Sequence, residues 1–172
     1  MTRPTDISPS VAALIFDRER RLLLSQRLGD RNESGAWQTP GGWIERSDWN
    51  IVDAAQREAF EESNLVLHSG TILFSSLHST GLGFSYVTVW VACFHWSGEP
   101  TQNEPDKHDP WGWYDVDDLP QPLVPGTLKA ALMALERRHE TPIPCVDVVR
   151  VEASGERREL ADLTLPEELG SP

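Results

Sequence analysis

Basic side chains are scarce in this sequence. Its 172 residues include 15 Lys and Arg against 27 Asp and Glu, which gives a formal net charge of −12. Proteins that bind DNA or RNA contact the phosphates with a Lys/Arg surface, so we expect no nucleic-acid polymer as a partner. A small phosphorylated substrate stays open, provided that cations bridge it to the acidic protein.

Long apolar runs are also missing. Segments such as residues 11–16 and 22–24 are too short to cross a bilayer, so we predict no membrane span. Residues 1–9 are polar and lack the charged start and apolar run of a secretory signal. The sequence has only 2 cysteines and no CxxC motif, which is consistent with the reducing cytoplasm, so we predict a cytoplasmic protein.

What the sequence does contain is the pattern of one α/β domain. The hydrophobic share of 39% is ordinary for a globular chain, and one domain is expected at this length. Apolar patterning predicts strands at residues 11–17, 21–27, 71–79, 84–96 and 111–116, and helices at residues 51–63 and 128–138. We expect a flexible terminus at residues 1–9, the domain at residues 10–141, and a tail at residues 142–172.

The helix at residues 51–63 has the clearest boundaries. Asn50 is suited to cap its N-terminus, and Asp53 favours the first turn through the helix dipole. Asn64 stands where the helix should end, and Asn is second to Gly in the left-handed conformation of a C-terminal cap. With both ends of the helix defined, the spacing of its residues indicates which side chains share a face.

Three glutamates of this helix share one face. Glu58, Glu61 and Glu62 are three and four residues apart, which places their carboxylates side by side. Each like-charge pair costs about 0.2–0.5 kcal/mol in an isolated helix. The cluster is either a solvated acidic surface or a binding site for Mg²⁺ or Mn²⁺, because these cations prefer carboxylate and water oxygens.

A longer motif surrounds this cluster. Gly41, Gly42 and Glu45 precede the helix, whose acidic half runs Arg57-Glu58-Ala59-Phe60-Glu61-Glu62-Ser63-Asn64-Leu65. The pattern resembles the box of the Nudix hydrolase family, G-x5-E-x7-R-E-U-x-E-E-x-G-U, where U is a bulky apolar residue. The resemblance extends over residues 11–138. It implies an α/β/α sandwich with a mixed central sheet, here with an appended C-terminal strand or hairpin, and a divalent cofactor, Mg²⁺ or Mn²⁺.

The sequence departs from the family box in three places. The first acidic position falls on Asp48, and eight residues rather than seven separate it from Arg57. The late glycine of the box is Asn64, which can adopt the left-handed conformation. Loops tolerate insertions, and no departure removes a carboxylate of the helix, so we expect an intact site.

The resemblance assigns roles to the box residues. It implies that Glu58 and Glu62 bind the metal, and that Glu61 is a ligand or part of the base machinery. It also implies that the main-chain carbonyl of Gly41 contacts the metal. Arg57 is then expected to orient Glu58 by a charge-assisted hydrogen bond, and its alternative is a surface pair with Glu61.

Residues outside the helix complete the predicted site. By the same resemblance, Glu104 brings a further carboxylate to the metals from a polar loop, unless it only faces solvent. Arg27, at the end of a strand, is a phosphate clamp or a solubilising charge. Gly42 lets the backbone come close to a phosphate. Trp37 and Trp43 flank the glycines, and each either stacks on a nucleobase or packs in the core.

The MutT-type branch of the family gives the predicted substrate. Residues 37–45, 99–107 and 115–120 are similar to that branch, which converts nucleoside triphosphates into a nucleoside monophosphate and pyrophosphate. ADP-ribose and sugar nucleotides are the alternative substrates. A third hypothesis, motivated by Asp48 and the extra loop residue, is a module that binds nucleotides without hydrolysing them. The presence of Arg57 and of all three helix glutamates favours the enzyme.

The tail predicts an oligomer. Residues 146–151 alternate as a strand does, and an unpaired strand leaves its backbone groups unsatisfied. The strand must therefore pair with the domain's own sheet or with the edge of a second copy. We predict a homodimer in which residues 143–152 contribute to the interface.

Overall fold

The domain consists of short β-sheets and two helices. The computed structural model describes residues 7–29, 33–79, 85–136, 150–151 and 157–158. The strands of the domain are β1 (Ile7–Ile15), β2 (Leu22–Gln26), β3 (Trp37–Gln38), β4 (Gly41–Trp43), β5 (Val66–Leu67), β6 (Thr71–Ser79), β7 (Ser85–Cys93), β8 (Trp96–Ser97) and β9 (Gly112–Tyr114). The helices are α1 (Ile51–Ser63) and α2 (Thr127–Glu136), and a 3₁₀ turn spans Val116–Asp118.

A four-stranded sheet in the order β4-β1-β7-β6 lies at the centre. Strands β1 and β7 run parallel from the pair Ile7 and Ser85 to the pair Ile15 and Cys93, whereas β4 and β6 are antiparallel to their neighbours. Parallel strands that are covered on both faces are almost continuously apolar. Residues 11–15 of β1 are accordingly all buried, and the predicted mixed central sheet is confirmed.

The two helices close the two core clusters that this sheet separates. Alternate residues of a strand point to opposite faces, so Val11 and Ala13 join one cluster while Ala12 and Leu14 join the other. Each helix contributes three buried alanines, Ala54, Ala55 and Ala59 from α1 and Ala130, Ala131 and Ala134 from α2. Because alanine is small, both helices lie close to the sheet, and the α/β/α sandwich is confirmed.

A smaller antiparallel sheet has the order β3-β2-β9. Ser25 lies opposite Gln38 in this sheet, and Leu24 lies opposite Gly112. Arg27 follows β2 directly and forms an isolated bridge with His108. The end of β2 therefore connects the loop that contains residue 104 with the strand that precedes the two glycines.

Helix α1 begins and ends where the sequence predicts. The side-chain oxygen of Asn50 accepts hydrogen bonds from the N–H groups of Val52 and Asp53, at 2.8 and 3.0 Å. Asn64 adopts a left-handed φ of 60°, and its N–H donates to the carbonyl of Phe60 at 2.9 Å. Asn64 thus ends the helix at the position of the motif's late glycine, in the left-handed conformation predicted for it.

The structure corrects two predicted strands. Strand β1 begins at Ile7, so residues 7–9 belong to the central sheet and not to a flexible terminus. The predicted strand at residues 84–96 is interrupted after Cys93, and Trp96 begins β8, which pairs with β5. The interruption lets the indole N–H of Trp96 donate to the carbonyl of Phe16 at 2.8 Å, which ties this segment to the end of β1.

In the last part of the domain, the observed bounds of the strand and the helix also differ from the predicted ones. The predicted strand at residues 111–116 is limited to β9, because the side chain of Asp115 accepts from the N–H of Asp117 and starts a 3₁₀ turn. Helix α2 begins at Thr127, one residue before its predicted start. Within the described residues, neither helix has the length and apolar character that a membrane span requires.

The predicted tail strand is described only at its end. Arg150–Val151 (β10) pairs antiparallel with Arg157–Arg158 (β11), so this part of the tail forms a ladder with itself. Within the described residues, neither Arg150 nor Val151 pairs with the sheets of the domain. Residues 143–149 and 152 lie outside the described residues, and the homodimer stays a prediction.

Candidate active site

The two glycines of β4 lie between β1 and the acidic face of α1. A Cβ atom on Gly41 would come within 2.4 Å of the carbonyl oxygen of Val11. A Cβ atom on Gly42 would come within 2.6–2.7 Å of the carboxyl group of Glu58. At Gly41 the close atoms are backbone, so only glycine fits there, whereas a Cβ atom on Gly42 would displace the carboxyl group of Glu58. The fold thus brings the two halves of the motif into direct contact.

Two of the three clustered carboxylates are buried. Glu58 and Glu62 are 9% and 8% exposed, and one carboxyl oxygen of Glu62 accepts a hydrogen bond from the N–H of Gly41 at 3.0 Å. The side chain of Glu61, in contrast, is 53% exposed. The shared face predicted from the spacing thus divides into an inner pair and one glutamate in contact with solvent.

Burial changes the protonation of the inner pair. It raises the pKa of Glu62 to about 8; the Gly41 N–H opposes this shift, and the charges of Glu58 and Glu104 add to it. Burial also raises the pKa of Glu58, although the neighbouring Arg57 opposes this rise. Taking carboxylates out of water disfavours their charged form. Without a cation, Glu62 therefore binds a proton at neutral pH.

Arg57 donates hydrogen bonds to several acidic residues of the site and fixes their positions. Its Nη1 donates to Glu58 at 2.7 Å and to Glu61 at 3.1 Å, and its Nη2 donates to the carbonyl of Trp43 at 2.9 Å. The planar guanidinium presents several donors in a fixed fork. The predicted contact with Glu58 and its alternative with Glu61 occur together in the structure.

Asp48 occupies the acidic position at which the sequence departs from the motif. Its two carboxyl oxygens accept from Nε and Nη2 of Arg57 at 3.0 and 3.1 Å, and these bonds lower the pKa of Asp48. One of the same oxygens also accepts from the N–H of Glu45 at 2.8 Å. The lengthened loop therefore still delivers a buried carboxylate to the guanidinium, in bidentate geometry.

The loop that contains Glu104 is bound to the C-terminal turn of α1. The N–H of Thr101 donates to the carbonyl of Ser63 at 3.0 Å, and the side-chain amide of Asn103 donates to the carbonyl of Glu61 at 3.0 Å. The negative charge of Glu104 accordingly contributes to the raised pKa values of Glu58 and Glu62. The structure thus brings the predicted fourth carboxylate beside the other acidic residues, where it forms an ion pair with Lys107.

A cavity of about 440 Å³ opens beside these residues. Its lining combines predicted and unpredicted residues. The predicted ones are Arg27, Gly41, Gly42, Trp43, Arg57, Glu58, Glu61 and Glu62. Those that the sequence did not indicate include Ser10, Gln38, Tyr86, Thr88, Trp90, Lys107 and Thr127. No motif marks the second group, because its members lie on separate strands and loops and meet only through the strand register, which pairs Ser10 with Thr88.

Two buried polar atoms in this lining have no hydrogen-bond partner among the described residues. Nη1 of Arg27 donates to the side-chain oxygen of Gln38, but its Nε is buried without a hydrogen bond. Thr127 is 1% exposed, and its hydroxyl also has no partner among the described residues. An unsatisfied buried polar group costs about 1–3 kcal/mol. Both residues line the cavity, so a shift of either side chain towards the cavity would let a polar ligand there satisfy the group.

The two tryptophans that flank the glycines differ in their positions. Trp43 is 50% exposed at the cavity and packs edge-on against Tyr86, with ring centroids 5.8 Å apart. Trp37 packs edge-on against Tyr114 at 5.0 Å, in the core cluster that α2 closes. Trp37 does not line the cavity, so its predicted place at the substrate is corrected to a place in the core.

The carboxylates fit a hard divalent cation by their chemistry, although they are not arranged around one. The donor set consists of oxygens only, which Mg²⁺ and Mn²⁺ prefer, and burial raises the pKa of both inner carboxyl groups, which nearby positive charge would oppose. Among the described residues, however, no three Asp, Glu, His or Cys side chains form a ready metal cage. Donors of the protein occupy the carboxylates instead: Arg57 at Glu58, the Gly41 N–H at Glu62 and Lys107 at Glu104.

Known proteins of similar sequence and structure share one type of domain. The pattern of the NUDIX domain matches residues 6–133. A MutT NUDIX hydrolase from Burkholderia pseudomallei has a similar structure, with 33% identity, a TM-score of 0.69, and coverage of 75% of this chain and 98% of that one. An RNA pyrophosphohydrolase of Mesorhizobium japonicum is 26% identical, over 68% of this chain and 81% of its own. The NUDIX domain of Shewanella oneidensis NrtR, solved with ADP ribose, shares the fold at 22% identity and a TM-score of 0.66, over 78% of this chain and 90% of that one.

The raised pKa of Glu62 predicts how stability varies with pH when metal is removed. The folded protein binds the Glu62 proton up to about pH 8, whereas the carboxyl group has an ordinary value of 4.5. A raised folded-state pKa contributes stability that is complete below the ordinary pKa and is lost as the pH rises through the folded value. In EDTA, the free energy of unfolding of the wild type should therefore fall between pH 5 and pH 9 more than that of Glu62→Gln.

Urea unfolding at a series of pH values measures this difference, and Glu61→Gln is the matched control because Glu61 is exposed. Adding Mg²⁺ at pH 8 should stabilise the wild type and have a smaller effect on Glu62→Gln. Parallel pH profiles for the wild type and Glu62→Gln in EDTA would contradict the burial argument.

Proposed function

The chain belongs to the NUDIX family of hydrolases, and we propose that it hydrolyses nucleoside triphosphates to a nucleoside monophosphate and pyrophosphate. The single observation that carries this proposal is the buried pair Glu58 and Glu62 against Gly41 and Gly42. A pair of carboxylates that excludes water and needs positive charge is suited to hold a cation between the protein and a phosphate.

We assign Mg²⁺ or Mn²⁺ as the cofactor, with Glu58, Glu62 and the carbonyl of Gly41 as its first ligands and Glu61 and Glu104 as further ones. Such a cation, when bound, neutralises phosphate charge and lowers the pKa of a coordinated water. The −12 net charge of the protein supports this assignment, because a polyphosphate approaching so acidic a chain needs cations at the site.

The protein's own residues supply orientation and proton transfer. Arg57, fixed by Asp48, holds Glu58 in place. The side chain of Glu61 lines the cavity and is exposed, and it or Glu104 accepts the proton of the attacking water. Arg27 binds a phosphate through its Nε, which has no partner in the part of the chain that the structure describes.

The cavity supports a nucleotide rather than a bare polyphosphate as the substrate. Its volume of about 440 Å³ exceeds what the phosphates alone would fill, and its lining contains the aromatic rings of Trp43 and Tyr86 as well as the hydroxyl of Thr127. Aromatic rings stack on nucleobases with about 1–3 kcal/mol per base. The similarity to a MutT hydrolase at 33% identity favours a triphosphate over ADP-ribose.

A panel of nucleotides tests the proposed reaction. With Mg²⁺, we expect nucleoside triphosphates or deoxynucleoside triphosphates to give monophosphate and pyrophosphate, as measured by chromatography. Glu62→Gln should keep the fold, because glutamine still accepts from the Gly41 N–H, and should lose about a thousandfold or more in kcat. Glu99→Gln, the same change at an exposed position of the loop, is the control and should retain activity.

Three outcomes would contradict parts of the proposal. Dominant cleavage of ADP-ribose or of a sugar nucleotide would overturn the triphosphate assignment. Tight nucleotide binding without any product would overturn hydrolysis in favour of a binding module. Activity of Glu62→Gln at the wild-type level would remove the metal role of that residue.

Thr127 gives a separate prediction about the nucleoside. Valine has nearly the same shape but no hydroxyl, so Thr127→Val should raise KM for the preferred nucleotide about three- to tenfold, the effect of one neutral hydrogen bond. The same change should not lower the stability of the free protein, because no described residue is a partner of the hydroxyl. Thr127→Ser keeps the hydroxyl and is the control. An unchanged KM in Thr127→Val would contradict a contact between this hydroxyl and the substrate.

A further inference from the structure

Lys107 belongs both to the cavity and to the acidic cluster. Its side chain lines the cavity, and its ammonium forms an ion pair with a carboxyl oxygen of Glu104 three residues earlier. The two side chains are 41% and 30% exposed, so the pair is accessible to water and to small ligands. The sequence motif does not assign Lys107 a role.

The backbone around Lys107 is held in place, so only its side chain is free to exchange partners. The N–H of Lys107 donates to the carbonyl of Glu104 at 2.9 Å, and the N–H of Leu28 donates to the carbonyl of Lys107 at 2.8 Å. The next residue, His108, is fully buried, and the side-chain amide of Gln102 donates to its carbonyl at 2.6 Å.

The two arginines of the cavity lining have different partners from Lys107. Arg57 is bound by Asp48, Glu58 and Glu61 at once, and Arg27 is bound by Gln38. Lys107 has one carboxylate partner, and a lysine ammonium is a point charge with three donors on a flexible stem of four carbons. Lys107 can therefore change its carboxylate partner at a lower cost than Arg57 can.

We propose that Lys107 is an exchangeable counter-ion of the active site, which neutralises Glu104 in the metal-free protein and moves to a phosphate of the substrate once a divalent cation has taken over the carboxylates. This inference rests on the proposed function of the same site. A divalent cation bound to Glu104 repels an ammonium on the same carboxylate. The incoming phosphates offer that ammonium a new anionic partner on the cavity side, where the lysine already lies.

The exchange predicts effects of opposite sign for one substitution. In Lys107→Met the ammonium no longer competes for Glu104, so Mn²⁺ alone should bind about two- to fivefold more tightly, the range expected for one partly exposed ion pair. Inorganic tripolyphosphate at saturating Mn²⁺ should bind about ten- to a hundredfold more weakly, because one charged hydrogen bond to phosphate is lost. A merely structural role of Lys107 would weaken both.

The experiment uses the full chain and two control variants. Mn²⁺ binding is measured by electron paramagnetic resonance, and tripolyphosphate binding is measured by calorimetry. Lys129→Met removes the same charge from an exposed lysine of α2, which lies over the ring of Phe74 and outside the cavity lining. It should leave both affinities within about twofold of the wild type. Lys107→Arg keeps the charge and should restore both affinities towards the wild-type values.

The result that overturns the exchange is a Lys107→Met variant whose Mn²⁺ affinity is no tighter than that of Lys129→Met. Unchanged tripolyphosphate affinity in Lys107→Met overturns it as well, because the lysine then has no second partner. Failure of the proposed function is seen separately, in the wild type. A wild type that binds Mn²⁺ and tripolyphosphate but hydrolyses no nucleotide refutes the assigned reaction and leaves the behaviour of Lys107 as measured.

Discussion

The burial of two neighbouring carboxylates, Glu58 and Glu62, is the constraint on which the rest of the site depends. Removing one carboxylate from water is unfavourable, and removing two side by side is more so. The metal-free protein tolerates them because Arg57 and the Gly41 N–H each donate to one of them and because Glu62 keeps a proton at neutral pH. A divalent cation provides the same compensation with more charge, and so the arrangement favours its binding.

The residues around Glu58 and Glu62 are constrained by their contacts. Gly41 and Gly42 cannot carry a side chain without displacing β1 or Glu58, and Arg57 cannot turn away without breaking its ion pair with Asp48. The caps at Asn50 and Asn64 fix the length of α1 and therefore the direction of its glutamates. The departures from the family motif leave these contacts in place, because Asp48 still reaches Arg57 and Asn64 still adopts the left-handed conformation.

The sequence predicts those features that depend on local spacing. The bounds of α1, its caps and its acidic face can be predicted because they depend on residues that are close together in the sequence. The cavity is different, because Thr127, Lys107 and Thr88 come from three separate segments and meet only after the sheet has formed. Trp37 shows the same limit: it lies near the glycines in sequence, but the pairing of β3 with β2 places its ring in the core.

The most direct measurement of the central claim is the number of protons released when Mn²⁺ binds, obtained by calorimetry in two buffers of different ionisation enthalpy. If the cation displaces the proton of a buried carboxyl whose pKa is about 8, binding at pH 7 should release about one proton, and the release should disappear at pH 9 and in Glu62→Gln. Binding at pH 7 without proton release, in the wild type, would show that the buried pair is already ionised and would contradict the account.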